Sequence, residues 1–139
     1  MWTSAVKNIW NPIIATKSWN LRFMSDKDVA NLLAIIDSAE KILRFSEGFH
    51  DADDFYSDDK SFDATMMNFV VMGESVTKLS DSIVESNPQL PWPKIRGLRN
   101  IVAHDYFGID AEEIWQIIQK YIPTLISEIE AILTKKSGQ

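Results

Sequence analysis

Residues 25–45 read SDKDVANLLAIIDSAEKILRF, and this stretch decides the fold class because it starts and continues as a helix does. Ser25 stands three residues before Asp28, so its hydroxyl can accept a hydrogen bond from an unpaired backbone N–H of the first turn. Apolar residues then recur at steps of three and four, namely Val29, Leu32, Leu33, Ile36, Ala39 and Leu43. The stretch predicts an amphipathic helix that reaches about Phe45 and ends before Gly48.

The helical period returns after an acidic interruption. Residues 50–59 show no period of either kind and are predicted to form a loop. From residue 61 to about residue 87 the apolar residues again recur at helical steps, which predicts one long core helix. Gly73 lies inside this helix, where glycine costs about 1 kcal/mol relative to alanine. We therefore expect another backbone or side chain to approach Gly73 closely.

Two further helices follow a proline-rich loop. The third is expected from Trp92 or Pro93 to near Tyr106, because a proline in the first turn loses no needed N–H. The fourth begins at the cap Asp110 and must kink or restart near Pro123. Since no alternating strand pattern persists, we predict an all-α fold, an up-and-down bundle of four or five helices.

The composition limits the classes of function. A chain of 139 residues that is 45% hydrophobic suits one domain, and the lack of cysteine excludes disulfides and thiol nucleophiles and fits the cytoplasm. No apolar run is long enough to span a membrane or to act as a secretory signal. The formal net charge of −6 is the wrong sign for bulk attraction to nucleic acid. Any nucleic-acid chemistry therefore needs a local basic patch.

The first 23 residues differ from the rest, since they hold no acidic residue and contain Trp2, Trp10 and Trp19. Three interpretations stand: a transit peptide, a helix on a membrane surface, or an extension ahead of the true domain. We favour the last, with residues 1–23 as the extension and residues 24–139 as the domain.

The chain has two histidines, and the first, His50, opens the acidic segment. A calcium loop is not predicted there, because Tyr56 stands at the obligatory glycine position and Phe62 at the closing glutamate. We predict a solvated acidic loop and no metal site.

The second histidine lies in the segment KIRGLRNIVAHDY at residues 94–106, where the basic residues of this acidic chain gather. On a helix, Asn100 and His104 are one turn apart on one face, and Arg99 and Tyr106 nearly superimpose two turns apart. Arg99 and His104 are about 140° and about 7.5 Å apart, which a guanidinium stem can span. The two side chains can thus converge on one small anion.

Such a pair suits cleavage of RNA without metal. An imidazole can take the proton of a ribose 2′-hydroxyl or protonate the leaving oxygen, while a guanidinium holds the phosphate. The alternative is structural: His104 caps the end of the helix, and Arg99 pairs with a nearby carboxylate. Spacing alone leaves both open.

The residues around the pair resemble a known family. Residues 99–106, RNIVAHDY, are similar to the R-x4-H-x-Y motif of HepT-like toxins, a branch of the HEPN ribonuclease superfamily. Residues 72–75, MGES, resemble its Gly-Glu motif, and residues 91–92 resemble its entry to the motif helix. Residues 109–115 resemble the segment after the motif helix. The resemblance covers residues 24–135.

The resemblance implies a metal-independent RNase that needs no cofactor and acts as a homodimer, with the motif helices of two subunits forming the cleft. By it, Arg99 and His104 would be catalytic, and Asn100 would orient the phosphate or the imidazole. Lys94 and Arg96 would support phosphate binding, since pairing two motif helices doubles the local basic patch.

The resemblance also implies control of a toxin. An MntA-like minimal nucleotidyltransferase antitoxin would add AMP to Tyr106, and the bulky anion would block RNA and repel its phosphates. The competing hypothesis is a non-catalytic helical subunit that binds or dimerises a minimal nucleotidyltransferase.

Overall fold

The computed structural model describes residues 24–135, in which every regular element is helical. The elements are α1 at Asp26–Phe45, α2 at Ala52–Ser57, α3 at Asp59–Thr77, α4 at Asp81–Ser86 and α5 at Trp92–His104. A 3₁₀ turn at Tyr106–Gly108 follows, and then come α6 at Ala111–Gln116, a π-helical turn at Ile117–Tyr121 and α7 at Ile122–Thr134. The predicted all-α bundle is confirmed.

The two ends of the chain lie outside the part that the structure describes. The predicted extension at residues 1–23, with its three tryptophans, lies outside the described residues, as do residues 136–139. Among the helices of residues 24–135, none is both long enough and apolar enough to cross a membrane.

The bundle is built around α3, which packs against α1 and against α5, while α7 packs on α1. Each of these helices contributes side chains that are almost fully removed from water: Leu32, Ile35, Ile36, Ile42, Met66, Phe69, Met72, Ile95, Ile122, Leu125 and Ile129. Because burial of such a side chain is worth about 1.5–3 kcal/mol, this shared core fixes how α3 and α5 lie against each other.

The predicted start of α1 is confirmed, and it has a second role. The backbone N–H of Asp28 donates to Oγ of Ser25 at 3.0 Å. The buried carboxylate of Asp28 accepts from the backbone N–H of Ser80 at 2.8 Å and from its hydroxyl at 2.6 Å. Asp28 therefore ties the first turn of α1 to the cap of α4.

The predicted acidic loop was wrong, because the segment contains the helix α2. Asp51 accepts from the backbone N–H of Asp54 at 2.8 Å, and Asp58 accepts from that of Ser61 at 2.9 Å, so two of the aspartates are N-terminal caps. A helix of six residues with two buried positions, one of them Phe55, is too short to show a period.

The predicted single helix from residue 61 to residue 87 was also wrong at its end. Helix α3 stops at Thr77, and Ser80 caps the separate helix α4. Leu79 and Ile83 are both buried, so the apolar spacing continued across the break and concealed it. The predicted restart near Pro123 is confirmed by the π-helical turn that precedes it.

Candidate active site

The motif helix α5 is anchored at its start by Trp92. Its indole is buried and donates from Nε1 to the carbonyl oxygen of Asn87 at 2.9 Å. Pro93 follows in the first turn, as predicted. The entry to α5 is therefore fixed by packing and by one buried hydrogen bond, without a side-chain cap.

Helices α3 and α5 cross most closely at Gly73, which confirms the predicted close approach. A Cβ atom added at Gly73 would lie 2.8 Å from Cβ of Arg99 and 3.0 Å from the carbonyl oxygen of Arg96. The missing side chain lets the backbone of α5 rest on α3. This contact sets Arg99 beside Glu74, the residue after the glycine.

Arg99 forms an ion pair with Glu74, from Nη1 to Oε1. The carboxylate pairing that the structural alternative predicts for Arg99 is thus present. The two side chains keep 33% and 43% of their exposure, and a pair so open to water is worth at most about 1 kcal/mol. A guanidinium has five N–H donors, of which this pair uses one, so Glu74 orients Arg99 and leaves donors for a phosphate.

His104 is the last residue of α5 and is exposed. Within residues 24–135 its imidazole has no hydrogen-bond partner. Arg96 and Asn100 precede it at steps of four residues and are also exposed, so the three side chains form one stripe along the solvent face. The position of His104 at a helix end fits the structural alternative. The stripe, however, also lines up the cation of Arg96 with the polar side chains of Asn100 and His104.

Lys94 does not join this stripe. It lines a cavity of about 270 Å³ on another side of α5, with Leu98, Ile117 and Tyr121. The structure therefore brings Arg96, Asn100 and His104 together and leaves Lys94 apart.

Tyr106 does not lie above Arg99 on the helix, and that expectation was wrong. Asp105 leaves the helical region with φ −150° and ψ 59°, so α5 ends at His104 and Tyr106 opens the 3₁₀ turn. The hydroxyl of Tyr106 donates to Oδ1 of Asp63 on α3. Its ring packs edge to face on the buried ring of Phe62, with centroids 6.3 Å apart.

The surroundings of Tyr106 keep its phenol protonated. Burial, the hydrogen bond to Asp63 and the charges of Asp63 and Asp59 raise the pKa of Tyr106 to about 12. The next residue, Phe107, is 95% exposed, and its ring meets Tyr106 edge to face. The end of the motif is therefore a neutral phenol beside an uncovered aromatic ring.

The sequence does not reveal the contact of Asp63 with Tyr106. It marks Glu74 only as part of the segment MGES at residues 72–75. The two carboxylates are eleven residues apart, which is three helical turns and about 16.5 Å on one face of α3. Once α3 is known to pack on α5, this spacing indicates that both carboxylates can face α5.

His50 lies away from this stripe, at the start of the acidic segment. Its backbone N–H donates to Oδ2 of Asp54 at 3.2 Å, and it lines an open cleft of about 710 Å³ with Arg44 and Trp115. In the part of the chain that the structure describes, no group of three or more His, Asp or Glu is placed to hold a metal ion.

Fold and site together define a class, the HEPN proteins: an all-α bundle whose motif helix carries an arginine and ends on an exposed histidine. The chain belongs to the HepT-like ribonuclease family, because the family model described as "Ribonuclease HepT-like" matches residues 35–132. Its enzyme class is that of a ribonuclease.

Individual relatives agree with the family. A protein of Methanocaldococcus jannaschii provisionally named RNase MJ0127 is 35% identical over 117 residues, which cover 84% of this chain and 96% of that protein. A second, provisionally named RNase MJ1380, is 32% identical over 110 residues, 78% of this chain and all of that protein. A Thermococcus cleftensis protein named "Probable ribonuclease HepT" is 24% identical over 106 residues, 76% of this chain and 90% of that protein. No solved structure gives a significant match.

Proposed function

We propose that this protein is a metal-independent RNA endonuclease in which Arg99 and His104 carry out the cleavage. The observation that carries the proposal is the exposed imidazole of His104, which has no hydrogen-bond partner within residues 24–135. It stands at the end of a helix whose arginine is held by Glu74, in a chain of a ribonuclease family. RNA is the substrate because the reaction needs a 2′-hydroxyl. The proposed site of the reaction is the cytoplasm.

The proposed reaction uses side chains of this protein alone. The imidazole of His104 accepts the proton of a ribose 2′-hydroxyl as that oxygen attacks the adjacent phosphorus. The bond to the 5′-oxygen breaks, and this oxygen takes a proton from the protonated imidazole of His104 in a second copy of the chain. Arg99 stabilises the charge on the phosphoryl oxygens, and Asn100 and Arg96 hold the phosphate. Lys94 lies on another side of α5 and adds only to the overall positive charge of this helix. The products are a 2′,3′-cyclic phosphate and a 5′-hydroxyl.

We further propose that the active form is a homodimer. Large apolar side chains are left open on neighbouring helices, with Met67 61% exposed on α3, Val71 one turn further and Ile101 on α5. Apolar surface beside a polar motif is typical of a covered face. Pairing two copies here would bring two motif helices together, double the local positive charge and supply a second imidazole to protonate the leaving oxygen.

The third part of the proposal concerns control. We infer that the protein is the toxin of a toxin–antitoxin pair and that an MntA-like nucleotidyltransferase antitoxin attaches AMP to Tyr106. The contacts of Tyr106 support a silencing effect, because AMP on Oη replaces the proton that Asp63 accepts and puts a phosphate beside Asp63 and Asp59. The bulky anion would also stand two residues from His104.

A second candidate function is a non-catalytic subunit that binds or dimerises a minimal nucleotidyltransferase. The ion pair of Arg99 with Glu74 favours it, because a purely structural arginine needs such a carboxylate partner and no substrate. The two candidates differ in whether the purified protein cuts RNA.

The test compares RNA cleavage by four proteins in the presence of a chelator: wild type, Arg99→Ala, His104→Ala and His50→Ala. His50→Ala is the matched control, since it removes the other imidazole of the chain from an exposed site. We expect cleavage by the wild type and the control, and none by the other two, all with the same dimer mass. Cleavage by His104→Ala would refute the assignment, and an inactive dimeric wild type would favour the non-catalytic subunit.

The control of the toxin is tested by mass. Wild type incubated with the nucleotidyltransferase and ATP should gain the mass of AMP on Tyr106 and lose its RNase activity. Tyr106→Phe should gain no mass, and the incubation should not change the activity that this variant has beforehand. A modification that leaves RNA cleavage unchanged would contradict this part of the proposal.

A further inference from the structure

The side chain of Tyr106 connects the exposed end of the motif helix to α3. The 3₁₀ turn at Tyr106–Gly108 has no buried residue, so Tyr106 makes its main attachment through the hydrogen bond to Asp63 and the contact with Phe62. His104 is the residue at which α5 ends, two positions before Tyr106. What holds Tyr106 therefore also holds the backbone that carries His104.

A helix end needs such a restraint to keep a side chain in place. The last carbonyl groups of a helix have no partner within it, and the last turn frays unless the following residues are fixed. At the C-terminus of α5 the backbone N–H of Asp105 donates to the carbonyl oxygen of Ile101 at 3.3 Å, which is a long bond. This backbone carries the imidazole of His104. For proton transfer the imidazole must be positioned to well within 1 Å, because a misplacement of about 1 Å can cost about 100-fold in rate.

We propose that Asp63 is a positioning residue for RNA cleavage: by accepting the hydrogen bond of Tyr106, it fixes the turn that aims the imidazole of His104. The inference rests on the proposed role of His104. It assigns to α3 a pair of carboxylates with complementary tasks, since Glu74 orients Arg99 and Asp63 orients the end of the same helix.

The rings beneath Tyr106 give the hydrogen bond a firm base. Phe62, one residue before Asp63, packs on Tyr106 and on Phe55 of α2, which is fully buried. Asp63 is therefore carried by a rigid part of α3 although its own side chain is exposed. The hydrogen bond of Asp63 therefore ties the exposed turn to a helix that is packed in the core.

The variants separate the hydrogen bond from the negative charge. Asp63→Ala removes both, while Asp63→Asn removes the charge and keeps an oxygen that accepts from Tyr106. Asp59→Asn is the matched control, because it removes a negative charge near Tyr106. The side chain of Asp59 accepts no hydrogen bond from the hydroxyl of Tyr106, which donates to Asp63. We expect Asp63→Ala to lower kcat about tenfold with KM changed by less than about twofold, and Asp63→Asn and Asp59→Asn to stay within about threefold of wild type.

A second measurement is independent of activity. Amide hydrogen exchange at residues 105–108 should become faster in Asp63→Ala and in Tyr106→Phe, should not accelerate further in the double variant, and should match wild type in Asp59→Asn. If the wild type does not cut RNA, the proposed function fails, and the exchange data still decide whether Asp63 fixes the turn.

Three results would overturn the inference. One is exchange at residues 105–108 that is unchanged in Asp63→Ala. Another is an unchanged kcat in Asp63→Ala while His104→Ala is inactive. The last is an equal loss of kcat in Asp63→Asn and Asp63→Ala, since the charge and not the hydrogen bond would then matter.

Discussion

Replacing Gly73 by alanine tests the closest contact in the site. The added Cβ would lie 2.8 Å from Cβ of Arg99 and 3.0 Å from the carbonyl oxygen of Arg96. Neither of these atoms is the end of a flexible chain, and carbon atoms pack best at about 3.5–4.0 Å. Helices α3 and α5 must therefore separate by about 1 Å at the point where Arg99 meets Glu74.

The expected size of the effect follows from two opposing terms. Alanine is favoured over glycine inside a helix by about 1 kcal/mol, whereas forcing an extra carbon into a packed contact costs about 1–3 kcal/mol. Gly73→Ala should therefore leave the free energy of unfolding unchanged or lower it by up to about 2 kcal/mol. A shift of Arg99 by about 1 Å should lower kcat/KM for RNA by about 100-fold.

Gly97→Ala is the matched control, because Gly97 lies inside α5 and a Cβ there meets no atom of residues 24–135 within 4 Å. It should gain about 1 kcal/mol of stability from the helix term alone. Urea denaturation of both variants and RNA cleavage by Gly73→Ala check these values. A Gly73→Ala protein as stable as Gly97→Ala, with wild-type activity, would refute the argument that the crossing is limited by that glycine.

Three further predictions concern other contacts. Glu74→Gln should lower kcat/KM for RNA several-fold while the melting temperature stays nearly constant, because an exposed ion pair is worth at most about 1 kcal/mol. Asp28→Ala should lower the free energy of unfolding by about 3 kcal/mol in urea denaturation, since it loses two hydrogen bonds to a charged group that join α1 to α4. Tyr121 has a buried hydroxyl with no hydrogen-bond partner in residues 24–135, and burial, followed by the charge of Glu128, raises its pKa to about 12. In the unfolded chain the pKa of Tyr121 is about 10. The contribution of Tyr121 to the free energy of unfolding is therefore fully present below about pH 10 and is lost as the pH rises to about 12. Between about pH 8 and about pH 11, the free energy of unfolding should fall less in Tyr121→Phe than in wild type, as measured by denaturation.

The main helices were predictable because their signals are local. The cap at Ser25 and the apolar steps of α1 act within a few residues. Gly73 indicated a close neighbour, because glycine inside a helix lowers stability relative to alanine. Helix α2 was not predictable from period, because its aspartates act as caps and six residues give too few apolar positions. The break after Thr77 was hidden since Leu79 and Ile83 kept the spacing on both sides.

The candidate site was predictable only along the motif helix. The order of Arg99, Asn100 and His104 gives their relation on α5, whatever the rest of the fold does. Asp63 is brought to Tyr106 by the packing of α3 on α5, which no local pattern encodes. The end of α5 at His104 also depends on the non-helical backbone of Asp105, so the position of Tyr106 could not be predicted from helical geometry.

The two carboxylates on one face of α3 have a consequence for inhibitor discovery. A compound directed at the proposed RNA site would have to compete with a polyanion for exposed cations. A compound that wedges between α3 and α5 would instead separate Glu74 from Arg99 and Asp63 from Tyr106 in one movement, without meeting the substrate at all. A compound that acted in this way would be an inhibitor that does not compete with RNA.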